Sequence, residues 1–266
     1  MKALRTSGLA ISALMLVAPA LADEKLKSII ESDDRPAAEA ERDQYRNPYE
    51  TLTFFGIEPD MTVVEISPGS GWYTEILGPY LAGEGQLVAA HWNMEQEELP
   101  GYYEPGMATY KERISAERFG EVEIIAFDPP EMLDLGEPGS ADMVLTFRNV
   151  HSYAGDDTFR DVAGAAFEVL KPGGVFGVVG HRLPEDGEQD PGTGYVKQSW
   201  VVGIAESSGF VLEEASETNA NPDDTADHPN GVWTLPPSLR VPEGEDEEKY
   251  REIGESDRFT LKFVKR

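Results

Sequence analysis

The sequence has no cysteine, few basic residues and only one long hydrophobic run, and each shortage excludes a class of protein. Without cysteine the chain cannot form disulfide scaffolds, cysteine zinc sites, iron–sulfur clusters or thiol nucleophiles. Lys and Arg number 22 against 50 Asp and Glu, which gives a formal net charge of -28. Because such a surface repels phosphate backbones and anionic lipid headgroups, we expect neither nucleic-acid binding nor peripheral membrane binding.

The hydrophobic run lies at the N-terminus and predicts an export signal. Lys2 and Arg5 precede an apolar stretch over residues 8–21, which ends in Ala20-Leu21-Ala22. A positive start, a short apolar segment and an A-x-A site are typical of a secretory signal peptide. We expect cleavage after Ala22, a protein that is periplasmic or secreted, and no stable membrane association afterwards. An uncleaved anchor is the alternative, although the stretch is short for a spanning helix.

The rest of the chain alternates short strands with helices, and helices are predicted over residues 109–118 and 156–170, among others. Strands are predicted over residues 61–66, 86–90, 121–127, 141–147, 175–180, 210–215 and 258–264. Strand–helix–strand units with short connections predict a mostly parallel, seven-stranded, doubly wound Rossmann-like sheet in a three-layer α/β/α arrangement. Residues 23–56 are predicted to be an N-terminal helical cap, 57–266 the main domain, and 216–257 an inserted lid.

Three stretches of the sequence carry a family resemblance. The first predicted strand runs into the glycine-rich turn Glu65-Ile66-Ser67-Pro68-Gly69-Ser70-Gly71, which resembles motif I of class I S-adenosylmethionine (SAM) methyltransferases. Residues 142–150 and the turn Lys171-Pro172-Gly173-Gly174 resemble motif IV and the post-motif turn of these enzymes. The chain also resembles a group of exported, predicted bacterial methyltransferases, which share the stretch Gly254-Glu255-Ser256-Asp257-Arg258. The resemblance implies the class I fold and SAM-dependent methyl transfer to a small-molecule acceptor.

The same resemblance implies which residues bind the cofactor. SAM is expected to lie across Glu65, Ser67, Gly69 and Gly71, because glycine lets the backbone approach a nucleotide-like ligand closely. Asp128 follows the third predicted strand and matches the acidic position that binds the adenine amino group in many relatives.

Two positions depart from the family pattern. Ser67 stands where the first motif glycine usually lies, and His91 stands where an acidic residue typically binds both ribose hydroxyls. A neutral imidazole can make one such hydrogen bond but not the bidentate pair. This favours a second hypothesis, in which the chain is an exported ligand- or metal-binding protein, or a hydrolase, on a methyltransferase scaffold.

Three of the four histidines, His91, His151 and His181, follow predicted strands two, four and five. Because ligands bind outside the carboxyl ends of such strands, we expect these side chains around one cleft. They are candidates for a general base, with His151 preferred, or for a divalent metal site, and the alternative is local hydrogen bonding in loops.

The turn after the fourth predicted strand carries Arg148 and Asn149, where methyltransferases position the acceptor and the methyl sulfonium. We predict that Arg148, with Asn149, His151 and His181, forms the catalytic side of the site. Arg148 and Arg182 are candidates for recognition of an anionic substrate, and ion pairing with the many carboxylates is the alternative. The sequence indicates neither the identity of the acceptor nor the oligomeric state.

Overall fold

The computed structural model describes residues 18–266, and it describes side chains from Glu24 onward. The N-terminal part is helical, and strands and helices alternate after it. The helices are α1 Ala18–Ile30, α2 Ala37–Ala40, α3 Asp43–Arg46, α4 Pro48–Phe55, α5 Thr74–Leu81, α6 Tyr103–Ile114, α7 Val150–Gly155, α8 Phe159–Val169, α9 Gln198–Ser207 and α10 Glu247–Ile253. The strands are β1 Thr62–Ile66, β2 Gln86–His91, β3 Val122–Ala126, β4 Ala141–Phe147, β5 Leu170–Leu183, β6 Val196–Lys197, β7 Phe210–Ser216 and β8 Arg258–Lys265.

The strands form one mixed sheet in the order β3-β2-β1-β4-β5-β8-β7, and the two-residue β6 pairs with β5 beside this path. Strands β1 to β5 are parallel, and β8 is antiparallel to both β5 and β7. The chain order reverses between β1 and β4, so the switch point lies between these two strands. The predicted doubly wound sheet is confirmed, and β6 is an addition to its seven strands.

Packing on both sides of the sheet explains the hydrophobic composition of the central strands. Every residue of β4 except Asp142 is buried, as expected of a strand that is covered on both faces. Successive residues alternate between two cores: Val64 belongs to the core beneath α8 and α9, whereas Val63 belongs to the core beneath α1, α4 and α5. The three-layer arrangement follows from these two cores.

Two helices begin at residues other than those predicted. α6 begins at Tyr103 rather than near residue 109, because Pro105 is compatible with a first helical turn. The helix predicted over 156–170 corresponds to α8, which begins at Phe159, and the additional helix α7 precedes it, separated from it by a short turn. Asp157 within that turn has a φ of 57°, a left-handed conformation that ends the first helix.

The predicted export signal covers residues 1–22, and it lies outside the residues whose side chains the structure describes. Across residues 18–266, no helix combines the length and the apolar character that a membrane crossing requires.

Candidate functional site

A cleft of about 490 Å³ opens at the carboxyl ends of the parallel strands, a volume within the range of roughly 300–1,000 Å³ typical of small-molecule sites. Loops after β1, β2, β3 and β4 contribute to it, and Trp233 and Arg240, from the segment between β7 and β8, line one side. Its lining comprises Ser67, Trp92, Tyr102, Tyr103, Phe127, Asp128, Pro129, Asn149, His151, Ser152, Tyr153, Asp156, Thr158, Trp233 and Arg240. A larger cavity of about 710 Å³ lies near the amino ends of β1 and β2, beside Thr62 and Gln86. Ligands of doubly wound folds bind at the carboxyl ends, so we assign the site to the cleft.

Asp128 lies in the cleft, two residues after the end of β3. Its carboxylate accepts hydrogen bonds from Gln96 Nε2 at 2.7 Å and Asn93 Nδ2 at 3.3 Å, which fix its orientation. The ring of Trp92 stacks on Tyr103 with centroids 4.3 Å apart and planes 6° apart. A carboxylate beside flat aromatic walls can hold a planar, hydrogen-bond-donating ring system such as a nucleobase.

The turn after β1 is fixed by residues from the opposite side of the switch point. Asn149 Nδ2 donates to the carbonyl oxygens of Ile66 at 3.2 Å and Ser67 at 3.0 Å. Ser67 adopts a φ of 51°, a conformation that a glycine at this position would adopt without strain, and its hydroxyl shares a 2.7 Å hydrogen bond with Tyr153. Asn149 therefore joins the ends of β1 and β4, and both Ser67 and Asn149 face the cleft.

The two motif glycines differ in what surrounds them. A Cβ on Gly69 would meet no described atom within 4 Å, so a ligand can approach this residue closely. A Cβ on Gly71 would lie 3.1 Å from both Tyr110 and Arg113 of α6. Gly71 is therefore required for the packing of α6 over the turn, which is a different reason from the ligand contact predicted from the sequence.

His91, at the end of β2, is buried and does not line the cleft. Its Nδ1 accepts a hydrogen bond from the backbone N–H of Trp92, so its Nε2 carries the proton and donates to the carbonyl of Gly69 at 2.9 Å. Burial lowers the pKa of His91 to about 4, so the imidazole is neutral near pH 7. His91 holds the glycine turn in place, as the alternative of local hydrogen bonding predicts.

Glu65 is also turned away from the cleft. Its side chain is buried, and Thr74 Oγ1 donates to its Oε2 at 2.6 Å. Burial raises the pKa of Glu65 to about 7 against the opposing effects of Thr74 and Arg113. Through its hydrogen bond with Thr74, Glu65 holds the first turn of α5 in place.

His151 and His181 meet on the other side of the switch point. Their ring centroids are 5.6 Å apart, and the centroid of the His151 ring lies 5.7 Å from that of Trp233, in the segment between β7 and β8. Nδ1 of His181 is hydrogen-bonded to Ser256 Oγ at 2.5 Å. Burial, followed by the nearby positive charge of Arg148, lowers the pKa of His151 to about 4. The pKa of His181 is lowered well below its ordinary value by burial and then by His151.

All three predicted histidines lie at the carboxyl edge, but they do not form one cluster. His91 contacts Gly69 and Tyr110, whereas His151 and His181 contact each other. No group of three or more His, Asp or Glu within the described part of the chain could hold a metal ion. The described residues therefore contain no ligand set for the divalent metal that the sequence left open.

The two arginines predicted to recognise an anion have different surroundings. Arg182 makes four hydrogen bonds with the carboxylates of Asp257 and Glu217, at 2.7 to 2.9 Å, as the ion-pair alternative predicts. Arg148 has a buried Nε without a hydrogen-bond partner, and its φ is 63°. Burial lowers the pKa of Arg148 to about 10.

The sequence predicts no role for two residues that line the cleft, Tyr153 and Arg240, nor for the buried ion pair of Arg46 with Glu255. Glu255 and Arg258 belong to the stretch Gly254–Arg258, which the sequence singles out by resemblance alone. Arg46 comes from the N-terminal helices, at a position that no motif or spacing marks.

No protein-family model matches the chain, and no curated protein matches it in sequence. Solved structures do match, and one is a SAM-dependent methyltransferase from Aquifex aeolicus, which is 14% identical with a TM-score of 0.57. That match covers 92% of this chain and 98% of the other. A geranyl diphosphate C-methyltransferase from Streptomyces coelicolor A3(2), in complex with Mg²⁺, geranyl diphosphate and S-adenosyl-L-homocysteine, is 13% identical with a TM-score of 0.58, over 90% and 88% of the two chains. A SAM-dependent methyltransferase from Methanosarcina mazei is 13% identical with a TM-score of 0.53, over 80% and 96%. These likenesses show that the chain has the Rossmann-like fold of SAM methyltransferases.

Proposed function

We propose that this protein is a SAM-dependent methyltransferase that acts on a small-molecule acceptor. The observation that carries the proposal is the carboxylate of Asp128 beside the aromatic wall of Trp92 and Tyr103, in a cleft at the switch point. The fold alone does not fix a function, so the proposal depends on this site.

The residues of the cleft fit SAM at its nucleoside end. Asp128 would accept a hydrogen bond from the adenine amino group, and the aromatic wall would contact the ring. The open space at Gly69 suits a ligand that passes close to the turn after β1. His91 would not hold the ribose, because its Nε2 already donates to Gly69. SAM supplies the methyl group as an electrophile on a sulfonium, and alignment of the acceptor provides much of the rate.

The protein's own residues would orient the acceptor and exclude water. Asn149 keeps the ends of β1 and β4 together, so the two halves of the cleft stay in register. Trp233 of the lid lies against His151 and covers the acceptor side. His151 is neutral at pH 7 and can accept a proton from the acceptor. Its pKa of about 4 makes it a weak base until a neighbouring negative charge raises that pKa.

Calorimetric titration with SAM and S-adenosylhomocysteine tests the proposal. We expect both to bind the wild-type chain, and we expect Asp128→Ala to weaken both at least tenfold. Glu131→Ala is the matched control, because Glu131 is an exposed carboxylate in the same loop. Absence of binding to the wild type, or equal loss in the two variants, would refute the cofactor assignment.

The second candidate is an exported ligand-binding protein on this scaffold, and the sequestered His91 is the observation that favours it. The same titration separates the two candidates, because this one predicts no affinity for SAM. A hydrolase is less favoured: Ser256 and His181 are hydrogen-bonded, but both are buried, and the depressed pKa of His181 makes it a poor base.

We also propose that the protein is exported and that its mature form begins at Asp23. The tripartite segment that ends at Ala22 supports this. N-terminal sequencing of protein from the native host should begin at Asp23, and an intact Met1 in a cytosolic fraction would contradict it.

A further inference from the structure

Three arginines pair with a single carboxylate, Glu255, and a fourth lies near enough for its charge to act on it. Arg42 Nε lies 2.7 Å from Glu255 Oε1, Arg46 Nε lies 3.1 Å from Oε2, and Arg258 Nη1 lies 3.3 Å from Oε2. Arg148 is the fourth, and its charge acts on both Glu255 and Arg46. We call Arg42, Arg46, Arg148 and Arg258 the arginine cluster. Its positive charge exceeds the negative charge of Glu255 by three, in a chain whose net charge is -28.

The arginine cluster holds hydrogen-bond donors that the protein does not satisfy. Among side chains that the structure describes, only five buried nitrogen or oxygen atoms have no hydrogen-bond partner. Three of them are Arg42 Nη2, Arg46 Nη2 and Arg148 Nε. A fourth, Thr146 Oγ1, lies two residues before Arg148 on β4. Arg46 and Arg258 are buried, with 1% and 3% of their surface exposed. Unpaired buried donors are rare in native structures, so this concentration points to an acceptor that comes from a ligand.

The arginine cluster adjoins the acceptor side of the cleft. Arg148 directly precedes Asn149, which lines the cleft, and its charge lowers the pKa of His151. Arg258 begins β8 and pairs in register with His181. Asp128 follows β3, so β2, β1, β4 and β5 lie between Asp128 and the start of β8. A ligand group at the arginine cluster therefore lies far from the adenine end.

Other buried arginines show that the charge imbalance is local. Arg113 contacts both Glu39 and Glu75, and Arg35 forms a fork with both oxygens of Asp43. Arg182, near the arginine cluster in the fold, has two carboxylates to itself. Arg113 and Arg182 thus have two carboxylate partners each and Arg35 has one, although Arg35 Nε is the fifth unpartnered atom. The four guanidiniums of the arginine cluster, by contrast, share a single carboxylate.

We propose that the arginine cluster binds the anionic group, a carboxylate or a phosphate, of the methyl acceptor. The guanidinium fork matches the paired oxygens of both groups, and a buried positive site strengthens the attraction. The identification of the ligand as the acceptor rests on the proposed function, whereas the presence of an oxyanion site does not. A bound anion would also raise the pKa of His151 and so make it a better base.

Titration with inorganic phosphate at constant ionic strength tests this proposal. Arg46 lies over the ring of Trp72, with its Cζ 4.5 Å from the centroid, so Trp72 fluorescence reports on the arginine cluster, and Trp72→Phe removes that signal. We expect phosphate to bind the wild type, Arg148→Gln to weaken it at least tenfold, and Arg148→Lys to weaken it less. Arg182→Gln is the matched control and should bind phosphate like the wild type. Arg148→Gln removes repulsion, so its thermal midpoint should equal or exceed that of the wild type.

A second pair of titrations separates the acceptor from the cofactor as the source of the anion. S-adenosylhomocysteine carries a carboxylate and 5′-methylthioadenosine does not. We expect Arg148→Gln to leave the affinity for both within about twofold of the wild type. Loss of S-adenosylhomocysteine affinity alone would assign the arginine cluster to the cofactor and overturn the proposal. Phosphate binding that is absent or independent of Arg148 would also overturn it. If phosphate binds through Arg148 but S-adenosylhomocysteine does not bind the wild type, the oxyanion site stands and the proposed function fails.

Discussion

The two sides of the switch point differ in whether the protein itself supplies partners for their polar and charged side chains. On the side of β1 and β2, Glu65, Gly71 and His91 are engaged by the protein itself, through Thr74, α6 and the carbonyl of Gly69. On the side of β4, β5 and β8, the arginine cluster keeps unpartnered donors, and two neutral histidines lie nearby.

This difference separates residues that hold the turn from residues that can bind. On the first side, Glu65, Gly71 and His91 are buried within the protein, whereas Ser67, Gly69 and Asp128 remain accessible to a ligand. The second side stores unbalanced positive charge in a buried region, which destabilises the protein unless a ligand neutralises it. Variants on the first side should therefore change stability alone, whereas variants on the second side should also change how stability responds to anions.

The largest effect is expected for Glu255→Gln. Burial alone would raise the pKa of Glu255, but Arg46, Arg258, Arg148 and Arg42 together lower it to about 2. Removing its charge leaves four guanidiniums, those of Arg46 and Arg258 buried, without a counter-charge, so we expect a loss of about 3–5 kcal/mol in unfolding free energy. Urea denaturation measures it.

Glu217→Gln is the control for that variant, because Glu217 pairs with Arg182 and its side chain is 66% exposed. Its cost should stay below about 1 kcal/mol. Phosphate should restore part of the stability of Glu255→Gln and none of that of Glu217→Gln. Equal losses in the two variants would remove the distinction between the arginine cluster and an ordinary ion pair.

The next effect is the pH dependence of stability that His91, on the first side, causes. The pKa of His91 falls from 6.5 in the unfolded chain to about 4 in the fold, so the unfolded chain binds more protons between these values. The stability that the neutral imidazole contributes is complete above pH 6.5 and is lost as pH falls through 4. On acidification the wild type should lose about 3 kcal/mol of unfolding free energy through His91, and His91→Gln should not show this loss. Urea midpoints at pH 7.5 and pH 4.5 provide the measurement, and identical pH dependence in the two proteins would show that His91 is not buried neutral.

A smaller effect separates the two motif glycines. Gly71 has a φ of 85° and its Cβ position is occupied, whereas Gly69 has a φ of 61° and open space. Each alanine substitution costs about 1 kcal/mol for the left-handed conformation, and Gly71→Ala should cost about 1–2 kcal/mol more because Tyr110 and Arg113 must move. Thermal unfolding gives the stabilities. Gly69→Ala should cost less stability than Gly71→Ala but weaken S-adenosylhomocysteine binding more. The reverse order of the two binding losses would contradict the assignment of Gly71 to packing.

The sheet could be predicted from the sequence because its strands are short, β-branched runs bounded by glycine and proline. The common edge of His91, His151 and His181 followed from strand order alone. The orientation of His91 could not be predicted, because it depends on the carbonyl of Gly69 after the turn has folded. The arginine cluster was equally hidden, since Arg46, Arg148 and the Glu255–Arg258 stretch are three segments that only the fold brings together.

The crystal structure of the chain with S-adenosylhomocysteine tests the central claim most directly. We predict that the adenine amino group lies within hydrogen-bond distance, about 2.7–3.2 Å, of the Asp128 carboxylate, with the ring against Trp92 or Tyr103. His91 should keep its hydrogen bond to Gly69. A nucleoside bound in the cavity at the amino ends of β1 and β2, or no ligand in the cleft at a saturating concentration, would contradict the account.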